Sequence, residues 1–278
     1  MSIRTTVVVL FALCGGWRVA NAAPAPKANT IFEAQLAVIK ANDEAALAGT
    51  FSKDAVVLVP DPRSAQAENT GLRWAIARLS PHGSLRGITV TKIVTSANAS
   101  AVWWSAECTI KAMEYEPQEK PAATTTTIRV TELATAEAGW KVVAAAFAEL
   151  QTPMASSVAR TLDDPSTTPA GPLTPLAGDV AQLDAHLASS AVVFGTDKGE
   201  AAYDAAAAHK LLKGWMKLKF SVPGKSRELH GKDWGFAIAN VDWEQPNKKM
   251  PSRMSALVIG TPTASGGWQV VAVQYTAN

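Results

Sequence analysis

The sequence predicts an α+β chain built as two similar domains in tandem. Helical spacing comes first and a run of alternating strands follows, the pattern of helices gathered on one side of an antiparallel sheet rather than of βαβ units. That order then returns in the second half. Phe51 to Leu58 has its counterpart in Leu187 to Phe194, Val102 to Glu107 in Gly235 to Asn240, and Gly139-Trp140-Lys141-Val142-Val143 in Gly267-Trp268-Gln269-Val270-Val271. The offsets are 136 (191 minus 55), 133 (235 minus 102) and 128 (267 minus 139), the drift expected when loop lengths change between copies. Residues 152–175 are rich in Pro, Thr and Asp and separate the two copies as a linker. The expected division is therefore domain 1 over 29–151 and domain 2 over 176–278.

Within domain 1, Ile31 to Ala48 has apolar residues at helical spacing, with Asp43 placed to cap a second helical turn. Ala55 to Pro60 reads as a short strand and Leu72 to Leu79 as a helix. Four strands follow at Gly87 to Thr95, Ala101 to Met113, Thr124 to Leu133 and Trp140 to Glu149, each rich in β-branched or aromatic residues.

Charge narrows the function classes. Lys+Arg 26 against Asp+Glu 24 leaves no excess to hold nucleic acid. The first 22 residues carry Arg4, an apolar run from Val7 to Cys14 and the small-x-small triplet Ala20-Asn21-Ala22, which predicts a signal peptide cleaved after Ala22 and a secreted or periplasmic protein. The run is too short for a membrane span and is followed by Trp17 and Arg18, so no integral membrane segment is expected after cleavage. Cleavage removes Arg4, Arg18 and Cys14, leaving Cys108 alone, and its alternation with Val102, Trp104, Ala106 and Ile110 predicts a buried core thiol. Asn98-Ala99-Ser100 has the spacing of a glycosylation acceptor.

Asn42-Asp43-Glu44-Ala45-Ala46-Leu47-Ala48-Gly49-Thr50-Phe51-Ser52-Lys53-Asp54-Ala55-Val56-Val57 resembles the helix-to-strand opening of the SnoaL-like branch of the NTF2-like superfamily, and the Gly-Trp-Lys-Val-Val closing domain 1 resembles its last strand. The resemblance spans most of residues 31–149 and reaches domain 2 through the repeat. It implies two cone-shaped domains, each with N-terminal helices packed on a curved antiparallel sheet around an apolar interior. Members include isomerases, cyclases and dehydratases beside binding and assembly modules, so the chain's own polar groups must decide.

The four histidines share no face. His82 and His230 fall in turns, His186 and His209 on helical segments, and no metal-ligand spacing or cofactor motif is present. Strand alternation offers more. The even positions Val102 to Ile110 form an apolar face; the odd ones, Trp103, Ser105, Glu107, Thr109 and Lys111, form a mixed one. Pairing Glu107 with Arg129 centres a hairpin at Gln118, and Asn240, Asp242, Arg253 and Ser255 repeat the arrangement in domain 2. Facing a cone interior, Glu107, Thr109, Arg129, Asn240, Asp242 and Arg253 would orient a ligand, with Trp103, Trp234 and Phe236 as cavity walls; facing outward, they are ordinary cross-strand surface pairs.

Three functions follow. The first is a noncatalytic module for a small apolar or amphipathic ligand. The second is an isomerase, dehydratase or hydrolase with Glu107 or Asp54 as base and Arg129 orienting an oxyanion. The third is assembly through sheet faces, with the tandem pairing its own domains or forming a homodimer. His209 to Lys219 adds a basic amphipathic stretch that reads as a solvated helix end or a contact for anionic lipid.

Overall fold

The apolar spacing at the start of the chain forms helix α1 (Ala28–Ala41), which buries Phe32, Gln35 and Ile39 and exposes Glu33 and Lys40. Asp43, in extended conformation, accepts from the Ala46 amide at 2.9 Å and starts α2 (Glu44–Gly49). Five strands follow, β1 (Phe51–Leu58), β2 (Leu85–Ala97), β3 (Ala101–Glu114), β4 (Ala122–Thr135) and β5 (Lys141–Leu150). The computed structural model describes residues 26–41, 43–58, 85–114, 122–150, 171–223, 226–244 and 252–277. The signal segment, the expected helix at Leu72 to Leu79, His82, the hairpin centre at Gln118 and residues 152–170 of the linker lie outside them.

The first sheet runs β1-β5-β4-β3-β2, with an antiparallel meander from β2 to β5. β1 begins four residues earlier than its apolar run suggests and joins the edge parallel to β5, so the sheet is mixed rather than wholly antiparallel. Phe51 pairs with Val142 and the register then skips to Val56 with Ala144. Asp54 falls in that skipped stretch and is exposed, a strand-bulge position rather than a pocket base.

The second half repeats the plan on shorter helices, α3 (Thr174–Gly178), α4 (Val180–Ala185) and α5 (Ala205–Trp215). Its strands are β6 (Leu187–Phe194), β7 (Ala201–Ala202), β8 (Lys219–Ser221), β9 (Ser226–His230), β10 (Gly235–Glu244), β11 (Ser252–Pro262) and β12 (Trp268–Ala277). The order is β7-β6-β12-β11-β10-β8, with β9 also on β10 and β6 parallel to β12. Leu187 pairs with Val270 and the register skips to Val192 with Ala272, the same irregularity as in the first sheet at offsets of 136 and 128. Asp179 caps α4 through the Gln182 amide at 3.0 Å, as Asp43 caps α2.

Each sheet has two apolar faces. On the first, Val102, Trp104, Ala106, Cys108 and Ile110 pack with Ile128, Val130 and Phe147 beneath α1 and α2. The opposite face brings Trp103, Leu133, Ala144 and Ala146 against Phe236, Ile238, Leu257, Ile259 and Val271 of the second sheet in one buried cluster. The helix-free faces of the two sheets are thus packed together. Polar bonds tie them at several points: Gln274 Nε2 donates to the Arg129 carbonyl at 3.2 Å, Thr276 Oγ1 to the Phe147 carbonyl at 3.3 Å and Asn98 Nδ2 to the Asp233 carbonyl at 2.7 Å. Asn98 also accepts from the Ser100 and Ala101 amides, so the residue of the glycosylation triplet is committed to this turn and contact.

Glu228 on β9 closes the second domain. It is buried and accepts from the amides of Gly171, Leu173 and Thr174 at 2.9–3.0 Å and lies 2.9 Å from His230 Nε2. The buried amides of Leu173 and Thr174 and the half-buried amide of Gly171 are satisfied by one carboxylate.

Candidate functional site

The predicted pair forms. Glu107 and Arg129 are opposite residues of β3 and β4, with Arg129 Nε donating to Glu107 Oε2 at 3.3 Å. Their surroundings differ from a cone lining. The helices cover the even-numbered face, so the odd-numbered face of β3 and β4 looks into the junction between the sheets. Arg129 is 0% exposed, and the β6–β7 loop folds its main chain around the guanidinium. Nη1 donates to the carbonyls of Gly195, Asp197 and Glu200 at 3.0, 2.8 and 3.0 Å, and Nη2 to that of Lys198 at 2.8 Å. Tyr203 Oη donates to Glu107 at 3.4 Å, and Lys92 Nζ lies 3.7 Å from the Tyr203 ring centroid. Burial, with the Glu107 charge second, pushes the Tyr203 phenol up to about 12.

The other predicted residues follow the same parity. Trp103 is buried in the inter-sheet cluster, and Phe236 stacks there on Trp234 at 7° between planes. They are core between domains rather than cavity walls. Asn240 accepts from Ser255 at 3.2 Å, and Asp242 holds Arg253 through both carboxylate oxygens on neighbouring register pairs. Thr109 is half-buried between Thr89 and Thr127. Structure therefore brings Glu107 and Arg129 together, and separately Asn240 with Ser255 and Asp242 with Arg253, all on the faces turned away from the helices.

On the helix side of the first sheet sits a residue that alternation alone passes over. Glu132 follows Ile128 and Val130 on the apolar face of β4 and is 0% exposed. Gln35 of α1 donates to its Oε1 at 3.4 Å, and also to Thr50 Oγ1 at 3.4 Å. Glu132 Oε2 finds no hydrogen-bond partner among the described residues, and neither does Nε1 of Trp104, its directly opposite residue on β3. Burial pushes the Glu132 carboxyl up to about 8, only partly offset by the Gln35 hydrogen bond. At neutral pH the carboxyl is mostly protonated and can donate. Two unpaired donors, the acid and the indole, therefore lie side by side on an apolar wall, with Phe32 edge-on to the Trp104 ring at 6.2 Å. A signal for Glu132 existed in the sequence, since it is the one acid interrupting Ile128, Val130 and Ala134 on that face.

The second half has other residues at the corresponding positions. The β10–β11 hairpin repeats β3–β4, and the register shift that β4 makes against β5 at Leu133/Ala134 returns where β11 meets β12, at Ile259/Gly260. Through that offset of 126 Val258 replaces Glu132, and Ala237, opposite Val258, replaces Trp104.

Cys108 lies on the same wall as Glu132. Burial first, then the charges of Glu132 and Glu107, pushes its thiol up to about 12. The folded protein should therefore leave Ellman's reagent unreacted at about pH 8 and react fully in guanidinium. Labelling of the folded chain at the rate of a small free thiol would show that this wall opens to solvent.

Among the described residues no group of three or more His, Cys, Asp or Glu is arranged to hold a metal ion, and no helix is long and apolar enough to cross a membrane. His209 is instead paired with Asp184 at 2.6 Å, and His186 Nδ1 lies 2.7 Å from the Gln182 carbonyl.

No family model and no curated protein matches the chain. Among solved structures it is similar to an NTF2-like protein of unknown function from Pseudomonas putida KT2440, at 17% identity over 36% of this chain and 73% of that one, with a TM-score of 0.32. A ketosteroid isomerase-like protein from Erwinia carotovora atroseptica is similar at 14% identity over 36% and 82%, TM-score 0.29. A protein of unknown function with a cystatin-like fold from Nostoc punctiforme is similar at 10% identity over 36% and 77%, TM-score 0.31.

Proposed function

We propose that the protein binds one small apolar molecule carrying an oxygen acceptor, inside the first domain, with protonated Glu132 and Trp104 Nε1 as the orienting donors. The observation that carries this reading is the pair of unpartnered polar atoms, Glu132 Oε2 and Trp104 Nε1, on opposed residues of one buried apolar wall. Buried polar atoms without partners are costly, and a carbonyl or hydroxyl oxygen would satisfy both. An acid that changes protonation near neutrality also suits proton transfer, so turnover of the same ligand is the second reading, favoured by the carboxyl held near 8. We further propose that the protein acts outside the cytoplasm, on the strength of Arg4, the apolar run to Cys14 and Ala20-Asn21-Ala22.

Native mass spectrometry of the protein purified from its own cells, set against its denatured mass, tests the binding. The expected result is an excess mass at one molecule per chain, lost on denaturation and diminished in Trp104→Phe, which keeps the ring and removes the donor. An apo mass, or an excess indifferent to both Trp104→Phe and Glu132→Gln, would overturn the reading. A second copy of that molecule, also diminished in Trp104→Phe, would contradict a single Glu132–Trp104 site.

A further inference from the structure

The second domain carries a different opening. Residues 216–222, Met-Lys-Leu-Lys-Phe-Ser-Val, alternate as they leave α5 and enter the edge strand β8. Met216, Leu218, Phe220 and Val222 form one wall of a cleft of ≈ 680 Å³ whose other wall is Pro175, Gly178 and Val180 at the α3–α4 junction. That volume is within the roughly 300–1,000 Å³ range of small-molecule sites. Gly178 sets the shape, since a Cβ there would lie 2.7 Å from Val222 Cγ2. Met216 is 45% exposed at the rim, while Phe220 leads inward to Trp215 and Tyr275, with ring centroids 6.2 and 6.4 Å from its own.

The charged side chains lining the cleft are Lys219 and Asp179, with Lys217 exposed beside the rim. Lys219 lines the cleft, paired loosely with exposed Glu244 at 3.7 Å, and Lys217 is exposed between Met216 and Leu218. The acid present, Asp179, has its carboxylate taken by the Gln182 amide and side chain at 3.0 and 2.8 Å. The basic stretch from His209 to Lys219 thus acquires a use other than a membrane face: Ala208, Leu212 and Trp215 on α5 are buried against the sheet, so no apolar stripe is free to lie in a bilayer.

We propose that this cleft is a second binding site, for a free single-chain amphiphile with an anionic head, such as a medium-chain fatty carboxylate. The alkyl chain runs between Met216, Leu218 and Phe220 on one side and Val180 on the other, and the carboxylate sits at Lys217 and Lys219. The cleft shares no residue with the Glu132 wall, so each site stands or falls by itself.

Calorimetric titration of the full chain with sodium decanoate, below its micelle concentration, tests this. Saturable binding is expected, weakened about tenfold or more by Met216→Glu, which sets a charge against the alkyl chain, and by the pair Lys217→Glu with Lys219→Glu, while Glu132→Gln leaves it unchanged. Met216 is a half-exposed cap residue, so unchanged circular-dichroism melting of Met216→Glu shows that the fold survives. Decanol should bind more weakly than decanoate. No saturable binding, or binding that falls in Glu132→Gln and not in Met216→Glu, overturns the proposal. So does Met216-sensitive sedimentation with phosphatidylcholine–phosphatidylglycerol vesicles in the absence of decanoate binding, which would assign the face to a membrane.

Discussion

Replacing Arg129 with alanine should destabilise the chain by about 3–5 kcal/mol, the usual consequence of deleting one partner of a buried charged network. The guanidinium is wholly buried and is held by four carbonyls from residues 195–200 and by Glu107. Those carbonyls belong to the second domain, so the substitution strikes the junction rather than either core. Left without the cation, the loop must keep its carbonyls buried and unpaired or leave the first sheet, and the second course loosens the domains from one another. Arg129→Lys should recover little, because a single ammonium has three donors on one centre and cannot reproduce the planar fork that reaches four carbonyls and a carboxylate. Urea unfolding followed by tryptophan fluorescence provides the measurement, with Lys111→Ala, an exposed position on the neighbouring strand β3, as control. The expected Arg129→Ala trace is an early transition, and a second one if the domains then unfold separately. A midpoint within about 0.5 kcal/mol of the parent would mean that the carbonyl cage contributes nothing.

The arginine also shows what the sequence could and could not disclose. Its pairing with Glu107 and the hairpin register were legible, because alternation and turn composition fix which residues of adjacent strands stand opposite. The face was not, since both faces of this sheet are largely buried. Trp104 packs under α1 and Trp103 packs on the second sheet, so neither hydrophobicity nor parity marks which side is the interior. The carbonyls that grip Arg129 come 66 to 71 residues later, from Gly195 to Glu200, and main-chain acceptors leave no signature in side-chain chemistry. Capping was readable for the opposite reason: Asp43 and its target amide are three residues apart. Glu228 lay beyond reach, because its three amides are 54 to 57 residues away in sequence.

The likeness of the two halves shows where they part in chemistry. Both have the skipped register between the parallel strands and the bulge between the last two, which are properties of the backbone and its close packing. They differ at Glu132 and Trp104, whose places are taken by Val258 and Ala237 inside a closed apolar cluster. An acid in such a cluster is costly unless something satisfies it, and the first half carries that cost at Glu132 where the second has Val258.

That cost yields the other large effect, a pH dependence of stability set by Glu132. Its folded carboxyl titrates near 8 against an ordinary value of 4.5. Below about pH 4.5 both the folded and unfolded chains carry the proton and the group is neutral in its effect. As pH rises from there the unfolded chain gives up its proton first, the folded chain retains it, and stability falls until the folded group also ionises near pH 8, above which the loss is complete. At 1.36 kcal/mol per pKa unit the full loss amounts to about 5 kcal/mol. Glu132→Gln removes the titration while keeping the shape and an oxygen for Gln35, so its stability should hold level across the same interval. The two proteins should differ little near pH 4.5 and diverge progressively toward pH 8, with the glutamine variant the more stable. Unfolding free energies from urea melts at several pH values decide the matter. A constant difference between the two would mean that the carboxyl is ionised throughout, and Glu132 would then offer an acceptor rather than a donor on that wall.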